Sequence, residues 1–202
     1  MKTNNTYFEL ATSVLRKAKK YLLEDWTLIS KNENGTILEK KHFPSISSFE
    51  CYRLNTIINK SKEELVNKIW DVDENIVKKN DPEISSWVQL ESGENWKICQ
   101  QFNNMPMPLY MRELLFTQAK IEEENTTWLV ATSIPDHSAK SDHPYWCVRA
   151  HIYMSVWGFT TISPTQTNVC RIIHVEPSGL IPPFVVDATV SKHIKIIEKL
   201  GE

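Results

Sequence analysis

The residues best suited to chemistry lie in one polar loop, where His137 and His143 stand beside Asp136 and Asp142. Imidazole and carboxylate groups together can hold a divalent metal ion or transfer a proton. A metal site needs ligands that converge and outer partners that orient them, and a spacing of six residues within a loop ensures neither. The sequence therefore predicts neither a metal nor another cofactor.

Motifs of covalent catalysis are missing from the sequence. It contains no Gly-x-Ser-x-Gly elbow, no phosphate-binding loop and no His-Glu-x-x-His pair. The net charge of −2 and the pI near 6.3 also argue against nucleic acid as a partner, because phosphate backbones attract concentrated Lys and Arg. These observations favour a protein that is not an enzyme and does not bind nucleic acid.

The four cysteines are widely spaced and form no Cys-x-x-Cys pair, which is typical of free thiols. The first residues, MKTNNTYFEL, lack the apolar stretch of a signal peptide, and no run approaches the roughly 18 apolar residues of a membrane span. We therefore expect a protein of the reducing cytoplasm.

Helices and strands follow one another in a simple order. Capping boxes at Thr6-x-x-Glu9 and Ser61-x-x-Glu64 predict a helix through about Leu23 and a short helical region that ends at Asp81-Pro82. Alternating or β-branched segments predict nine strands, at residues 25–31, 36–43, 49–58, 84–90, 95–102, 113–121, 127–134, 148–162 and 168–175. Strands in uninterrupted series indicate an antiparallel sheet, so residues 1–202 form one α+β domain.

Two further segments frame the possible site. The final helix, from Pro182 to Leu200, carries an apolar stripe that includes Val186, Val190, His193 and Ile197. Such a stripe ordinarily packs on a filled core. The segment from Asn103 to Met111, which we name the Met/Pro loop, holds three methionines and two prolines and is either a cap on the sheet or a mobile gate. Its methionines are Met105, Met107 and Met111.

The end of the chain resembles the START (steroidogenic acute regulatory protein-related lipid transfer) family. Gly179, Ile181 and Pro182 match the turn before the last helix of that family, and Arg112-Glu113-Leu114 resembles its Arg-Asp-Phe strand start. The resemblance implies a helix-grip (Bet v 1-like) fold, in which nine curved antiparallel strands surround a tunnel closed by the C-terminal helix. It also implies the binding of one sterol, phospholipid, ceramide or fatty-acyl lipid, with transient contact to a membrane surface.

The same resemblance assigns residues to the tunnel. Alternation places Leu114, Phe116 and Gln118 on one face, which in the family register looks inward. Gln118 stands where several sterol-handling members have a charged arginine, so we expect a largely neutral tunnel. The remaining lining residues would be Cys99, Gln101, Arg112, Tyr153, Trp157, Val186, Val190, His193 and Ile197.

Several of these assignments leave alternatives open. Arg112 and Glu113 form either an ion pair at the tunnel mouth or a solvated pair, and Tyr153, Trp157 and Phe159 either line the tunnel or pack as a core stripe. The whole domain could also be an enzyme of the wider superfamily, such as a thioesterase, hydrolase or cyclase. A third possibility is an interaction module without a ligand, whose interior would hold no cavity larger than a few water molecules.

Overall fold

The computed structural model describes residues 6–142, 144–179, 181 and 183–202. At residues 183, 184, 186–189 and 191 it describes the backbone alone. The predictions for His143, Pro182 and the side chain of Val186 therefore lie outside the described residues.

Helices and strands occur in nearly the predicted order. The helices are α1 (Thr6–Leu22), α2 (Lys62–Trp70), α3 (Glu74–Asn80) and α4 (Pro183–Leu200). The strands are β1 (Thr27–Lys31), β2 (Ile37–His42), β3 (Glu50–Ile58), β4 (Ile84–Ser92), β5 (Trp96–Asn103), β6 (Met111–Glu123), β7 (Thr126–Ser133), β8 (Cys147–Arg149), β9 (His151–Ser163) and β10 (Gln166–Glu176).

The strands form one large sheet. Nine of them pair antiparallel in the order β1-β2-β3-β10-β9-β7-β6-β5-β4, which confirms the predicted nine-stranded antiparallel sheet. The predicted strand at 148–162 is interrupted at Ala150, and its first part, β8, pairs parallel to β6. The sheet is thus continuous, and it brings strands that are distant in sequence, such as β3 and β10, next to each other.

The short helical region is two helices instead of one. The Ser61 hydroxyl accepts a hydrogen bond from the Glu64 N–H at 3.2 Å, as the capping box predicts. A second cap follows at Asp73, whose carboxylate accepts from the Ile76 N–H at 2.8 Å and begins α3. The sequence prediction missed the break because the two caps are only 12 residues apart.

Each face of the sheet is covered by different helices. Helix α1 packs its buried Ala11, Leu15 and Ala18 on residues of β5, β6, β7, β9 and β10, and we name this side the outer face. The opposite side, the inner face, is covered by Leu65 of α2 and Ile197 of α4. The predicted arrangement of a sheet with a C-terminal helix across one face is confirmed.

One glycine marks a close contact between two strands on the outer face. Gly158 of β9 lies directly opposite Trp128 of β7, and a Cβ atom at Gly158 would lie 2.5 Å from the indole ring. The indole is held in place because its Nε1 donates to the Glu123 carboxylate at 3.1 Å. The position therefore requires the absence of a side chain.

We predict that Gly158→Ala lowers the free energy of unfolding by about 1–3 kcal/mol, because overpacking forces the indole out of its place. Urea denaturation of the variant measures this loss. In the double variant with Trp128→Leu, the alanine should add much less destabilisation than it does alone. Equal stability of Gly158→Ala and the parent protein would contradict the close packing.

Candidate functional site

The predicted residues of β6 do lie on the inner face. Phe116 is opposite Cys99, and Leu114 is opposite Gln101, so each pair shares one face of the sheet. Phe116, Cys99 and Leu114 pack together in one apolar cluster, whereas the Gln101 amide donates to the Asn103 side chain at 2.9 Å. The structure thus brings these residues together as part of a packed wall.

Gln118 has a charged neighbour that the sequence prediction missed. Its partner across the strands is Lys97, which is only 4% exposed. The Lys97 ammonium donates to the Trp70 carbonyl at 2.6 Å and lies 4.5 Å from the centre of the Trp70 ring. Burial lowers the pKa of Lys97. Gln118, the neutral amide at the position where several sterol-handling members of the family have an arginine, therefore lies beside a buried cation.

A second buried cation, Arg171, lies on β10. It is opposite Trp157 and Leu54 on the inner face and is only 7% exposed. Its guanidinium carbon is 4.6 Å from the centre of the Trp157 ring, and its Nη2 donates to the Ser155 hydroxyl at 2.8 Å. Among the residues with described side chains, no carboxylate lies within ion-pair distance of this guanidinium, and its Nε has no hydrogen-bond partner.

Lys97 and Arg171 place two buried cations on the inner face, beside the region where we expected a largely neutral tunnel. The signal for Arg171 was present in the sequence, because this residue interrupts the alternating apolar series of Val169, Ile173 and Val175. A charged residue at an apolar position of a strand indicates a buried polar function. Lys97 gave a weaker signal because it precedes an apolar run.

An apolar cavity of about 100 Å³ lies between the sheet and α4. Strands β3 and β10, the segment before α4, α4 itself and the Met/Pro loop all contribute to its wall. The residues that line it are Phe49, Glu50, Tyr52, Met105, Ile173, Val175, Pro177, Ile181, Val185, Val190 and His193. Three of the predicted site residues, Met105, Val190 and His193, therefore meet around one cavity.

Other predicted residues lie elsewhere. Trp157 stacks on Phe159 with ring centres 5.8 Å apart, and both pack with Ile197 in a filled cluster under α2 and α4. Met107 is 95% exposed, and Met111 begins β6 opposite Cys147. The Met/Pro loop thus directs one methionine into the cavity and another to solvent.

Tyr153 does not join Trp157. The pairing of β9 with β10 shifts between Ile152 and Met154, so Tyr153 is the extra residue of a bulge. Its ring lies 5.1 Å from that of His174, which alternates with Ile173 toward the outer face. The prediction that Tyr153 and Trp157 share a face is therefore wrong.

Arg112 and Glu113 are not an ion pair. Glu113 is fully buried, accepts from Arg149 Nε at 2.8 Å and accepts from the Gln100 amide at 2.7 Å. Arg112 extends the other way and donates to the carbonyls of Tyr110, Pro177 and Ser178. Neighbouring residues of a strand point to opposite faces, which explains why an adjacent pair cannot interact.

The contacts of Arg112 connect the two segments beside the cavity. Tyr110 belongs to the Met/Pro loop, whereas Pro177 and Ser178 lie in the turn that precedes α4. In this turn Gly179 has a φ of +72°, a conformation that glycine adopts without strain. One guanidinium therefore holds the Met/Pro loop and the turn before α4 together.

The polar loop that contains Asp136, His137 and Asp142 is held in place by hydrogen bonds to the sheet. His137 Nε2 lies 3.0 Å from the Glu91 carboxylate, and the loop is tied down where the Ser141 N–H donates to the Gln100 side chain at 2.9 Å. No group of three or more possible metal ligands occurs among the described residues.

His193 of α4 faces both the cavity and the buried arginine. Burial lowers the pKa of His193 to about 3, and the positive charges of Arg171 and Lys192 lower it in the same direction. The imidazole is therefore neutral at pH 7. A neutral ring on the cavity wall can form a hydrogen bond without bringing a second cation beside Arg171.

Comparison with known proteins identifies the architecture. The model of the START domain family matches residues 6–195, which is nearly the whole chain. The chain belongs to the START domain family. A search of curated protein sequences gave no significant match to this START domain.

Solved structures share the fold at low sequence identity. Human StAR-related lipid transfer protein 5 superposes with a TM-score of 0.83 at 17% identity, over 98% of this START domain and 96% of that chain. Human STARD10 gives 0.77 at 15% identity, over 92% and 77%. A STAR-related lipid transfer protein fragment from Xanthomonas axonopodis gives 0.71 at 15% identity, over 88% and 97%.

A helix that crosses a bilayer must be long and apolar over about 20 residues. Within the described part of the chain, no helix is long and apolar enough to cross a membrane.

We predict that His193 makes the protein less stable in acid. An unfolded histidine titrates near 6.5 and the folded one near 3, so between these values only the unfolded state binds the proton. Stability contributed by this site therefore falls as the pH falls through 6.5. Between pH 7 and pH 5, His193→Gln should lose about 2 kcal/mol less than the parent protein in urea denaturation. Identical losses would show that His193 is accessible to protons in the folded state.

We predict that Arg112→Lys loosens the Met/Pro loop and the turn before α4 together. An ammonium is a point donor and cannot reach three carbonyls as the planar guanidinium does. The free energy of local opening should fall by about 1–3 kcal/mol at the non-proline residues of 105–110 and at Ser178 and Gly179, measured by amide hydrogen exchange. The amides of α1 serve as the internal control, and faster exchange there as well would indicate global destabilisation instead.

Proposed function

We propose that this protein binds one lipid molecule between the inner face and α4 and carries it between membranes or senses it. The observation that carries the proposal is the apolar cavity of about 100 Å³ that residues of β3, β10, α4 and the Met/Pro loop line. The START family and the lipid transfer proteins with the same fold support it.

A bound lipid requires this cavity to enlarge. Pockets that hold drug-sized ligands usually measure about 300–1,000 Å³, which is several times the volume of this cavity. Each methylene removed from water contributes about 0.8 kcal/mol, so a ten-carbon chain would contribute about 8 kcal/mol toward moving α4 outward. The apolar residues of α4 that leave the sheet would then contact the lipid instead of water.

Two segments are suited to act as the gate. Met105 of the Met/Pro loop and Val185 and Val190 of α4 all line the cavity. Methionine adapts to partners of irregular shape because it is unbranched and has three rotatable bonds. The loop can therefore remain in apolar contact with α4 or with a lipid chain as the entrance opens.

The surface beside this gate is suited to a membrane. Met111 pairs with Cys147, which brings the preceding residues Tyr110 and Trp146 side by side. Tyr145, which is 87% exposed, stacks edge-on against Trp146 at 4.8 Å. Tyrosine and tryptophan favour the level of lipid headgroups. We name the exposed surface formed by Tyr110, Tyr145, Trp146 and Met107 the aromatic rim.

We propose binding instead of catalysis. The thiol on the inner face, Cys99, has its pKa raised to about 12 by burial, so it has almost no nucleophilic thiolate at pH 7. The thiols of Cys51, Cys99, Cys147 and Cys170 are all free, which suits the cytoplasm that we propose as the compartment.

One observation favours a second candidate, an interaction module without a ligand. A volume of 100 Å³ corresponds to about three water molecules, and the stacked Trp157 and Phe159 fill much of the inner face. In that case the domain would act through its surface alone.

Lipid uptake separates the two candidates. The full chain is mixed with vesicles that contain labelled phospholipids, fatty acids and sterols, then separated and examined by native mass spectrometry. We expect one lipid per chain in the parent protein and none in Val190→Trp, which fills the cavity. Val88→Trp, an exposed position on β4, is the matched control and should bind normally. No uptake by the parent protein would favour the interaction module.

We predict that the aromatic rim speeds extraction of lipid from membranes. Replacement of Met107, Tyr145 and Trp146 by serine should lower the extraction rate from vesicles about tenfold, because apolar insertion into the interface is lost. The amount of lipid bound at equilibrium should not change. Leu28→Ser, on exposed β1, is the control. An unchanged rate would show that the rim does not contact the membrane.

A further inference from the structure

Arg171 is a buried cation without a carboxylate partner among the residues whose side chains are described. Burial lowers its pKa to about 9, yet the group stays protonated at pH 7. A buried cation is costly unless an anion and hydrogen bonds compensate it. Its Nη2 donates a hydrogen bond to the neutral Ser155 hydroxyl, and its Nη1 donates one to the Ile172 carbonyl at 3.3 Å. The site therefore lacks a negative charge among the residues with described side chains.

A second arginine of the sheet shows what a compensated site looks like. Arg53 of β3 also lies over an indole, with its guanidinium 4.7 Å from the centre of the Trp26 ring. Its Nε donates to the Glu39 carboxylate at 2.6 Å. Among the residues with described side chains, the corresponding Nε of Arg171 has no hydrogen-bond partner. Within that part of the structure, the two sites therefore differ in that Arg53 has a carboxylate partner and Arg171 does not.

The position of Arg171 relates it to the apolar cavity. Val175 and Ile173 of β10 line the cavity, and Arg171 is the next residue of that strand on the inner face. Successive residues on one face of a strand are about 7 Å apart. A molecule in the cavity that extends along β10 therefore meets the guanidinium directly after Ile173.

The orientation of the guanidinium suits an acidic group. Trp157 holds one side of its plane, and Ser155 holds Nη2. Nε and the remaining hydrogens are left for an acceptor. A planar fork of this kind binds carboxylate or phosphate through two parallel hydrogen bonds.

We propose that Arg171 binds the acidic headgroup of a lipid, a carboxylate or a phosphate monoester, whose chain occupies the cavity beneath α4. This proposal rests on the lipid-binding function proposed above and names the class of lipid. The headgroup would lie deep in the protein, and the chain would point toward the Met/Pro loop.

The experiment compares lipids that share a chain and differ in the headgroup. Phosphatidylcholine vesicles are doped with oleic acid, oleyl alcohol, oleoyl lysophosphatidic acid or monoolein, and lipid bound to the full chain is quantified by native mass spectrometry. We expect the two acids to bind at least tenfold better than the two neutral lipids. The two acid arms distinguish carboxylate from phosphate as the natural headgroup, and either preference supports the proposal.

Variants then assign the preference to one side chain. Arg171→Met should lose the preference for acids while still binding neutral lipids, and Arg171→Lys should retain part of it. Arg53→Met, which removes the compensated arginine, is the matched control and should keep the full preference. If Arg171→Met does not fold, the Nε–H resonance of Arg171 in the parent protein gives the answer. It should shift when oleic acid is added and not when oleyl alcohol is added.

The other outcomes distinguish this proposal from the function on which it rests. Equal binding of acids and neutral lipids would overturn the role of Arg171 and leave lipid binding intact. Binding of neutral lipids alone would do the same. The absence of every lipid would overturn both. Inorganic phosphate is tested without a chain, and binding as tight as that of lysophosphatidic acid would show that the site is not one for lipids.

Discussion

Strand β10 hydrogen-bonds to β9 along one edge and to β3 along the other, and the strict alternation of its side chains follows from this double pairing. Ile172 and His174 point to the outer face, whereas Arg171, Ile173 and Val175 point to the inner face. A slip by one residue would put the arginine under α1 and an isoleucine beside Trp157. The cavity wall, the burial of Arg171 and the approach of α4 all depend on this register.

The opposing faces of the sheet differ in how firmly they are covered. On the outer face α1 places small alanines against the strands, so the helix approaches closely and its contacts are filled. On the inner face α4 covers a cluster that is filled near Ile197 and open near Val190. An element that leaves a cavity beneath it gives up contacts on that side. Displacement of α4 at its Val190 end therefore gives up less packing than displacement of α1.

The sequence predicted the fold well because the fold depends on local signals. The cap at Ser61, the alternation of each strand and the stripe of the final helix are each signals that arise within a few neighbouring residues. The site was predicted less well because its chemistry depends on pairs that are distant in sequence. The partner of Gln118 is Lys97, that of Glu113 is Arg149, and the bulge at Tyr153 depends on how β9 pairs with β10. Arg171 was visible as an exception to an apolar pattern, but only the pairing shows that it lies over Trp157.

The contact of Arg112 with both the Met/Pro loop and the turn before α4 also bears on kinetics. Because one guanidinium donates to carbonyls from both segments, movement of Arg112 with one segment breaks its hydrogen bonds to the other. If the proposed entrance opens here, its two halves would be coupled through this one side chain and would open together. Entry and exit of any molecule would then pass over the barrier to this opening, so its residence time inside the protein would be set by the shape of the closed entrance as much as by its affinity for the interior.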